Sequence, residues 1–477
     1  MARKKQQQAQ NKAARKRERS RKPKHGMCGQ DRPILEPNAA GIDVGAREMY
    51  VAVPPDRDSD PVRVFRTFTD DLDRLVNWLL ECGITTVAME STGVYWIPVY
   101  EMLADHGLRP CLVNARHMKN VPGRRTDWHD CQWLQYLHSV GLLRPAFRPE
   151  QAVCVVRAIL RHRSELVQMA AQHVQHMQKA LAQMNLQIQH VISDITGFTG
   201  LAIVDAILAG ERNPEQLAGL RDPRIKADQE TIRKSLVGDW RHEHLFTLRL
   251  SRQMFEHYQQ QILACEKEVQ KQLGEFSWRV NPDERPLPPD NKHKRNRRSR
   301  LSKKRAGDFH FDLRTEMYKL FGVDVTRIPG LDALALPLFS EIGRDLSRFP
   351  TAAHFSSWCG LCPDNDVSGG TVWKGGRRIN HRVGHIFRLA AHSLHHNLTP
   401  LGDYLRRMKA KAGPKAATTA TAHKIAIIFY TLVKNQVEYD ENIWSARDAA
   451  RHKRFEEKIK RQARKLGFEL VPAQSAA

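Results

Sequence analysis

Between residues 39 and 140 the chain alternates apolar strand patterns with amphipathic helix patterns, and this order restricts the possible folds most strongly. Three strand patterns come first, separated by the turn residues Gly45 and Pro54-Pro55. Two more strands then alternate with helices whose apolar residues lie three and four positions apart. The predicted strands are 39–43, 49–53, 62–67, 85–90 and 110–114, and the predicted helices are 70–82, 97–106 and 128–140. This order predicts an α/β domain whose sheet combines a hairpin edge with parallel strands.

The region after this domain has a long apolar seam with alternating spacings of three and four residues. It runs from Val167 to Val191, and a less complete seam runs from Leu248 to Val269. Such spacing predicts coiled-coil packing. Because heptads alone do not identify the partner helix, a hairpin within one chain and a dimer-forming stalk remain equally compatible.

Changes in composition divide the chain into six parts. We predict a basic disordered tail (1–37), an α/β domain (38–148), a helical coiled-coil region (149–279), a basic linker (280–312), a mainly α-helical domain (313–440) and a basic C-terminal helix or tail (441–477).

The charge distribution indicates a nucleic-acid partner. The net charge is +24 over 477 residues, and residues 1–37 carry 12 Lys/Arg against three acids. Residues 291–305 add nine basic residues without an acid. A phosphate backbone favours such charge through counterion release. The sequence has no signal-peptide pattern and no run of about 18 apolar residues, so we expect no membrane association and a cytoplasmic, nucleoid-associated protein. The eight scattered cysteines fit a reducing compartment.

Four acidic residues occupy positions where strands end or a helix begins. Asp43 ends a strand within GIDVG, Glu90 ends a strand before Ser-Thr-Gly, and Asp127 and Asp130 share one face at a helix start. Acids in apolar strands are costly unless they are paired or bind metal. If the strands are neighbours and the helix crosses their ends, the carboxylates converge. Oxygen ligands of this kind suit Mg²⁺, and two ions about 3.5–4 Å apart would catalyse phosphodiester chemistry.

A glycine-rich, basic segment lies between residues 360 and 400. Its glycines let a backbone approach phosphate closely, and Ser368 precedes Gly369-Gly370. A Ser-Gly-Gly sequence by itself is an ordinary turn, although a serine hydroxyl beside a base or metal can attack a phosphodiester. The residues that we expect to bind nucleic acid are Arg124, Arg125, Gly369, Gly370, Lys374, Arg377, Arg378 and Arg382.

Weaker patterns occur in the same half of the chain. The residues Ile328-Pro329-Gly330-Leu331 resemble half of a helix-hairpin-helix element that binds phosphate, or a simple packing turn. The histidine pairs 381/385 and 392/396 favour contact with nucleic acid over zinc binding. We expect Cys359 and Cys362 to be small buried residues. For the tryptophans at 96, 128 and 133, core packing is favoured over base stacking.

Three motifs resemble the carboxylate motifs of the DEDD transposases of bacterial insertion sequences, the one-ten family: GIDVG, AMESTGVYW and RTDWHD. The segment from RIPG to SGG resembles the second transposase domain of that family, and the resemblance spans most of residues 38–435. It implies a ribonuclease-H-like, Holliday-junction-resolvase-like N-terminal fold, Mg²⁺ at Asp43, Glu90, Asp127 and Asp130, and Ser368 as the catalytic serine. Val367 departs from the family pattern, in which a second serine is common.

The same resemblance implies several partners. These are DNA at the element ends and at the target, a structured guide RNA encoded by the element, and a homo-oligomer (a dimer or tetramer) in which the serine domain of one subunit completes the carboxylate site of another. Composition and spacing do not demonstrate the RNA or the oligomer.

Three other functions are compatible with parts of the sequence. A junction resolvase would use water as the nucleophile and would not need Ser368. A sugar-kinase-like ATPase also has a GIDVG-like phosphate loop, but Ala46-Arg47 replaces the expected small hydroxyl residue. A non-catalytic RNA-binding scaffold would have no use for converging carboxylates. Mg²⁺-dependent strand cleavage separates a nuclease or transposase from the last two.

Overall fold

The structure is a computed structural model that describes residues 32–91, 93–114, 127–289, 309–362, 365–368, 371–374 and 381–441, together with parts of 453–468. It divides into two compact units, Met1–Arg148 and Pro149–Ala477. The predicted tail 1–37, the linker 280–312 and the C-terminal segment 441–477 lie largely outside the described residues.

A five-stranded sheet forms the centre of the first unit. Its strands are β1 (Ala39–Val44), β2 (Glu48–Ala52), β3 (Val62–Arg66), β4 (Thr86–Glu90) and β5 (Arg109–Val113). The spatial order is β3-β2-β1-β4-β5, with β1–β2 and β2–β3 antiparallel and β1–β4 and β4–β5 parallel. The mixed sheet with a hairpin edge therefore confirms the prediction of an α/β domain.

Helices cover both faces of this sheet. On one face, α1 (Thr69–Glu81) and α2 (Trp96–Asp105) pack Leu75 and Leu103 against Ile42 and Met89. On the other face lies α3 (Asp127–Ser139), whose Leu134 and Leu137 pack against Ala88 and Val113. Because side chains alternate along a strand, odd-numbered β1 positions and even-numbered β4 positions face α3.

The second unit is mainly helical and is organised around two 33-residue helices, α4 (Gln151–Gln183) and α9 (His242–Gly274). They pack side by side in opposite directions, because Arg163 near the start of α4 bonds Glu266 near the end of α9. Met177 and Leu248 contribute to one cluster at the other end of the pair. The predicted seams therefore pair within one chain.

The spacing predicted that the first seam runs to Val191, but the structure does not continue it as one helix. Helix α4 ends at Gln183, and Asn185 adopts a left-handed conformation (φ 56°) that asparagine tolerates better than most residues. A returning segment stabilises the break, because Asp239 donates its backbone N–H to the Met184 carbonyl and Ser235 accepts one from Gln187. Residues 188–191 form a separate short helix, α5 (Ile188–Val191).

The remaining helices build two clusters at the ends of this pair. One cluster contains α5 and α6 (Phe198–Ala209), α7 (Pro214–Gly219) and α8 (Gln229–Ser235). The other contains α10 (Leu313–Phe321), α11 (Ala335–Ile342), α12 (Ala352–Trp358), α13 (Arg382–His392) and α14 (Pro400–Asn435). A two-stranded hairpin, β6 (Asn365–Ser368) and β7 (Thr371–Lys374), precedes α13.

Helix α14 is long and apolar enough to cross a membrane by length and composition, although no such stretch was expected. Half of its most apolar 18-residue stretch is buried inside the unit. The helix is kinked at Gly413 (φ 81°) before Pro414. Phe429 and Val433 of this helix lie in the main apolar cluster. Core helices commonly have these properties, so this single helix is weak evidence for a membrane span.

Candidate active site

The register of two parallel strands places Asp43 beside Glu90. Gly41 pairs with Ala88 and Ile42 with Met89, and each acid is the next residue along its strand. Neighbouring strands are about 4.8 Å apart, so the two acids lie at adjacent positions on the same edge of the sheet. The sequence required only that both strands end in an acid, whereas their pairing is a property of the fold.

Both acids face helix α3. Gly41, two residues before Asp43, lies so close to this helix that a Cβ would be 2.4 Å from the Cys131 carbonyl oxygen. Ala88, two residues before Glu90, packs against Leu134 of α3. Since side chains two apart on a strand share a face, Asp43 and Glu90 lie on the side that α3 covers.

Helix α3 runs antiparallel to β1, which brings its N-terminal turn toward the acids. Gln135 donates its side-chain amide to the Ala39 carbonyl (3.2 Å), while Cys131, one turn earlier, lies against Gly41. Asp130 is therefore nearer the end of β1 that carries Asp43. The partial positive charge at a helix N-terminus also favours carboxylates or phosphate there.

The thiol of Cys131 is buried beside these acids. Burial raises the pKa of Cys131 to about 12, and the negative charges of Asp43 and Asp130 act in the same direction. Both carboxylates are therefore close enough to the thiol to affect its ionisation. Glu90 and Asp130 are buried (9% and 8% exposed), whereas Asp43 is half-buried.

The described residues do not contain a complete metal site. Among them, no group of three His, Cys, Asp or Glu side chains is placed to hold a metal ion. Asp127 begins α3, but its side chain lies outside the described residues, as do Arg124 and Arg125. Asp43, Glu90 and Asp130 lie near one edge of the sheet without forming such a group by themselves, and their oxygen atoms are the donors that Mg²⁺ prefers.

Ser368 ends strand β6 and pairs with Thr371 across the hairpin. Lys374 pairs with Asn365 at the open end, and Arg382 is the exposed first residue of α13. The side chains of both strands lie outside the described residues, as do Gly369, Gly370, Arg377 and Arg378 entirely. Ser368 is therefore the last residue of β6. The sequence had placed it only within a Gly-rich segment.

Aromatic residues near the acidic edge were only partly anticipated. Trp128, next to Asp127 in α3, is 41% exposed, so the expectation of core packing was wrong there. Tyr95, which follows the end of β4 by five residues, is 50% exposed and was not singled out. Trp96 and Trp133 are partly buried, and Trp133 stacks on Tyr136. Exposed aromatic faces near phosphodiester chemistry are suited to stacking on bases.

The weaker C-terminal patterns are mostly packing features. Gly330 has a positive φ (90°), and a Cβ there would lie 2.4 Å from the Ala390 carbonyl oxygen. Ile328 and Leu331 on either side are buried, which favours a packing turn over a phosphate-binding one. Cys359 is buried, as expected, and burial raises the pKa of its thiol, whereas Cys362 is only partly buried and the expectation was wrong there.

Comparison with known families covers both halves of the chain. A family model for DEDD transposases of the IS110 type matches residues 40–186, and a model described as Transposase IS116/IS110/IS902 family matches residues 324–404. The four acidic residues lie within the first match and Ser368 within the second. A search of curated proteins found no match.

Proposed function

The chain belongs to the IS110 family of transposases, and on this premise we propose that it breaks and rejoins DNA at a divalent-metal centre formed by Asp43, Glu90, Asp127 and Asp130. As a transposase it acts on DNA and recombines it. The observation that carries the proposal is the register of β1 and β4, with Asp43 and Glu90 side by side under the N-terminal turn of α3.

The carboxylates suit this role because they are hard oxygen donors on rigid elements. Asp43 and Glu90 project from paired strands, and Asp127 and Asp130 belong to the first turn of a helix that packs on those strands. We infer two Mg²⁺ ions, which would stabilise the attacking and leaving oxygens of a phosphodiester when bound. The buried Glu90 and Asp130 would then be neutralised by the ions, which offsets the cost of burying charge.

We further propose that the hydroxyl of Ser368 is the nucleophile. Its Oγ forms a bond to the phosphorus of a DNA phosphodiester as the bond to one deoxyribose oxygen breaks. The serine proton passes to a general base, and the released deoxyribose oxygen takes up a proton to become a free hydroxyl. A phosphoserine link conserves the energy needed for rejoining. The position of Ser368 at the end of a strand, followed by two glycines, supports this role because glycine lets the phosphate approach the backbone closely. The alternative is a resolvase-like reaction in which water attacks.

The ribonuclease-H-like fold, the guide RNA and the homo-oligomer belong to the same proposal. The strand order β3-β2-β1-β4-β5, with acids at the ends of β1 and β4, supports the fold assignment. The surplus of basic residues supports an RNA partner. Sequencing of RNA that co-purifies with the protein, and the mass of the protein in solution, test the two partners.

The carboxylate centre is tested by removing one negative charge at a time. Asp43→Asn, Glu90→Gln and Asp127→Asn should each reduce Mg²⁺-dependent strand cleavage at least about a hundredfold, because metal ligation supplies several kcal/mol of transition-state stabilisation. Asp73→Asn, on an exposed position of α1, is the matched control and should cleave normally. Thermal melting verifies that each variant is folded. Near-normal cleavage by a folded Glu90→Gln protein would disprove the metal centre.

A further inference from the structure

One surface of the second unit carries basic and histidine side chains that the proposed chemistry does not use. The exposed positions on α13 recur three and four residues apart, which places them on one side of the helix; they are Arg382, His385, His392 and, between the histidines, the apolar Leu389. The 3₁₀ turn Ser393–His396 continues this surface, and Lys409 of α14 flanks it. We call this surface the histidine face, and it consists of Arg382, His385, His392, His395, His396 and Lys409.

The histidines at the end of α13 form a compact positive cluster. The rings of His392 and His395 are 5.1 Å apart. Partial burial lowers the pKa of His395, and the nearby positive charges of Lys409, His392 and His396 lower it further. These groups therefore repel one another when protonated, and an anion on the surface would relieve the repulsion.

In the part of the chain that the structure describes, no carboxylate is bonded to His392, His395 or His396. Asp403 of α14 bonds Arg406, whose guanidinium also donates to the carbonyl oxygens of His395 and Asn397. Gly330, in the turn before α11, packs against the end of α13 and brings no charged side chain to it. The charged groups next to His395 are the Arg406 guanidinium at its carbonyl oxygen and Lys409, His392 and His396, which act on its ring.

We propose that the histidine face binds the phosphate backbone of a polynucleotide through protonated histidines, so that its affinity for nucleic acid rises as the pH falls through the range in which histidines take up protons. The proposal rests on the transposase function, which supplies the polynucleotide. The face extends for 15 residues, about 21 Å along a helix axis, which spans several phosphates. Zinc binding by these histidines is less favoured, because the described residues contain no group of three His, Cys, Asp or Glu side chains placed to hold a metal ion.

The sign of the pH dependence follows from the electrostatics. Partial burial, together with the neighbouring positive charges, holds the pKa of His395 below its usual value of 6.5 in the free protein. A bound phosphate favours the protonated ring and raises this pKa, so binding takes up protons. Affinity is therefore highest below both pKa values and is lost as the pH rises through the pKa of the bound form. A histidine whose pKa rises by one unit on binding contributes about tenfold to this change.

Equilibrium binding of the full-length protein tests the proposal, with labelled duplex DNA and labelled single-stranded RNA as separate probes and EDTA present to prevent cleavage. The variant His392→Gln/His395→Gln/His396→Gln should lose about tenfold or more of the affinity gained by the wild type between pH 8.0 and 5.5. At pH 5.5 its slope of log affinity against log salt should be shallower by about 0.9 for each duplex phosphate that the variant no longer binds. The probe that shows these losses is the polynucleotide bound by the face.

A matched control changes three exposed histidines elsewhere in the same unit, His176→Gln/His242→Gln/His257→Gln, and should keep the wild-type pH dependence. A second test variant, Arg382→Gln/His385→Gln, changes only exposed side chains and should show part of the loss even if the triple variant folds poorly. Retention of the full pH effect by folded test variants with both probes would overturn the proposal, as would an equal loss in the control. Because cleavage is not measured, failure of the carboxylate centre would leave these results unchanged.

Discussion

Gly41 of β1 and Cys131 of α3 are in backbone contact, and a Cβ at residue 41 would lie 2.4 Å from the Cys131 carbonyl oxygen. The same Cβ would lie 2.4 Å from the Gln135 backbone nitrogen. Neither atom can move without moving α3. The close approach holds the first turn of this helix, with Asp130, over the strand that carries Asp43.

Gly41→Ala should therefore destabilise the first unit by roughly 1–3 kcal/mol, since overpacked cores lose stability on this scale. It should also reduce strand cleavage, because α3 and its acids would shift. Denaturant unfolding and cleavage assays measure both effects. Gly274→Ala, at a position where a Cβ would meet nothing within 4 Å, should change neither. Wild-type stability in Gly41→Ala would contradict the packing that positions α3.

Cleavage by the wild type should leave protein covalently attached to a DNA end through Ser368. Ser368→Ala should lose this adduct and all strand transfer but still bind DNA, because one hydroxyl adds little to a strongly basic protein. Denaturing gels of protein trapped on labelled nicked DNA measure the adduct. Ser357→Ala, at an exposed position on α12, should behave as the wild type. Cleavage that survives Ser368→Ala, with no adduct in the wild type, would instead favour water as the nucleophile.

The N-terminal tail should contribute to the salt dependence of DNA binding. Deletion of residues 1–37 removes 12 Lys/Arg and three acids. The slope of log affinity against log salt should therefore become shallower by about 0.9 for each duplex phosphate that the tail had neutralised. DNA-binding affinities of the wild type and the deletion variant, measured between roughly 50 and 300 mM salt, provide the comparison. A deletion variant with the wild-type slope would show that the tail does not contact the backbone.

The pair Arg163–Glu266 should stabilise the α4–α9 hairpin only while both partners are present. Glu266 is 1% exposed and Arg163 is 7% exposed, and the Arg163 Nε–Glu266 Oε1 distance is 2.8 Å. Glu266→Leu should cost about 3–5 kcal/mol because it leaves a buried guanidinium without its carboxylate and removes the acceptor of the His310 backbone N–H. The double variant Arg163→Met/Glu266→Leu should recover part of this loss in denaturant unfolding. A double variant as unstable as the sum of the single variants would contradict a specific pairing.

The first unit should lose stability at alkaline pH partly through Cys131. Its pKa is raised to about 12 in the folded state, above the ordinary thiol value of 9.0. The neutral thiol therefore stabilises the fold fully below pH 9, and this contribution falls as the pH rises from 9 toward 12, by at most about 1.4 kcal/mol per unit. Cys131→Ala should lower the stability at pH 8 through weaker packing yet show a shallower decline between pH 9 and 10. Equal slopes in the two proteins would contradict this assignment.

Local patterns in the sequence determined much of the fold. The alternation of apolar residues in residues 39–113 located the five strands of the sheet to within about two residues, because side chains of period two can bury only one face of a strand. The order of strands and helices also predicted a mixed sheet. The acids were predicted as metal ligands because a carboxylate at the end of an apolar strand needs a partner or a metal, and Ser368 was predicted as the nucleophile through the family motif; both stay predictions.

Long-range packing decided the rest. The pairing of Ile42 with Met89 and the contact of Gly41 with Cys131 join residues far apart in sequence, and these contacts set which acids become neighbours. The seam predicted through Val191 was interrupted at Asn185 because residues 235–239 return to bond the chain there, which helical periodicity does not encode. Trp128 lies in the first turn of α3 and is 41% exposed, which helical periodicity alone did not predict. Sequence determined which residues are candidates for the chemistry, and tertiary contacts decided which of them become neighbours, because burial and hydrogen bonding depend on partners that only the folded chain brings together.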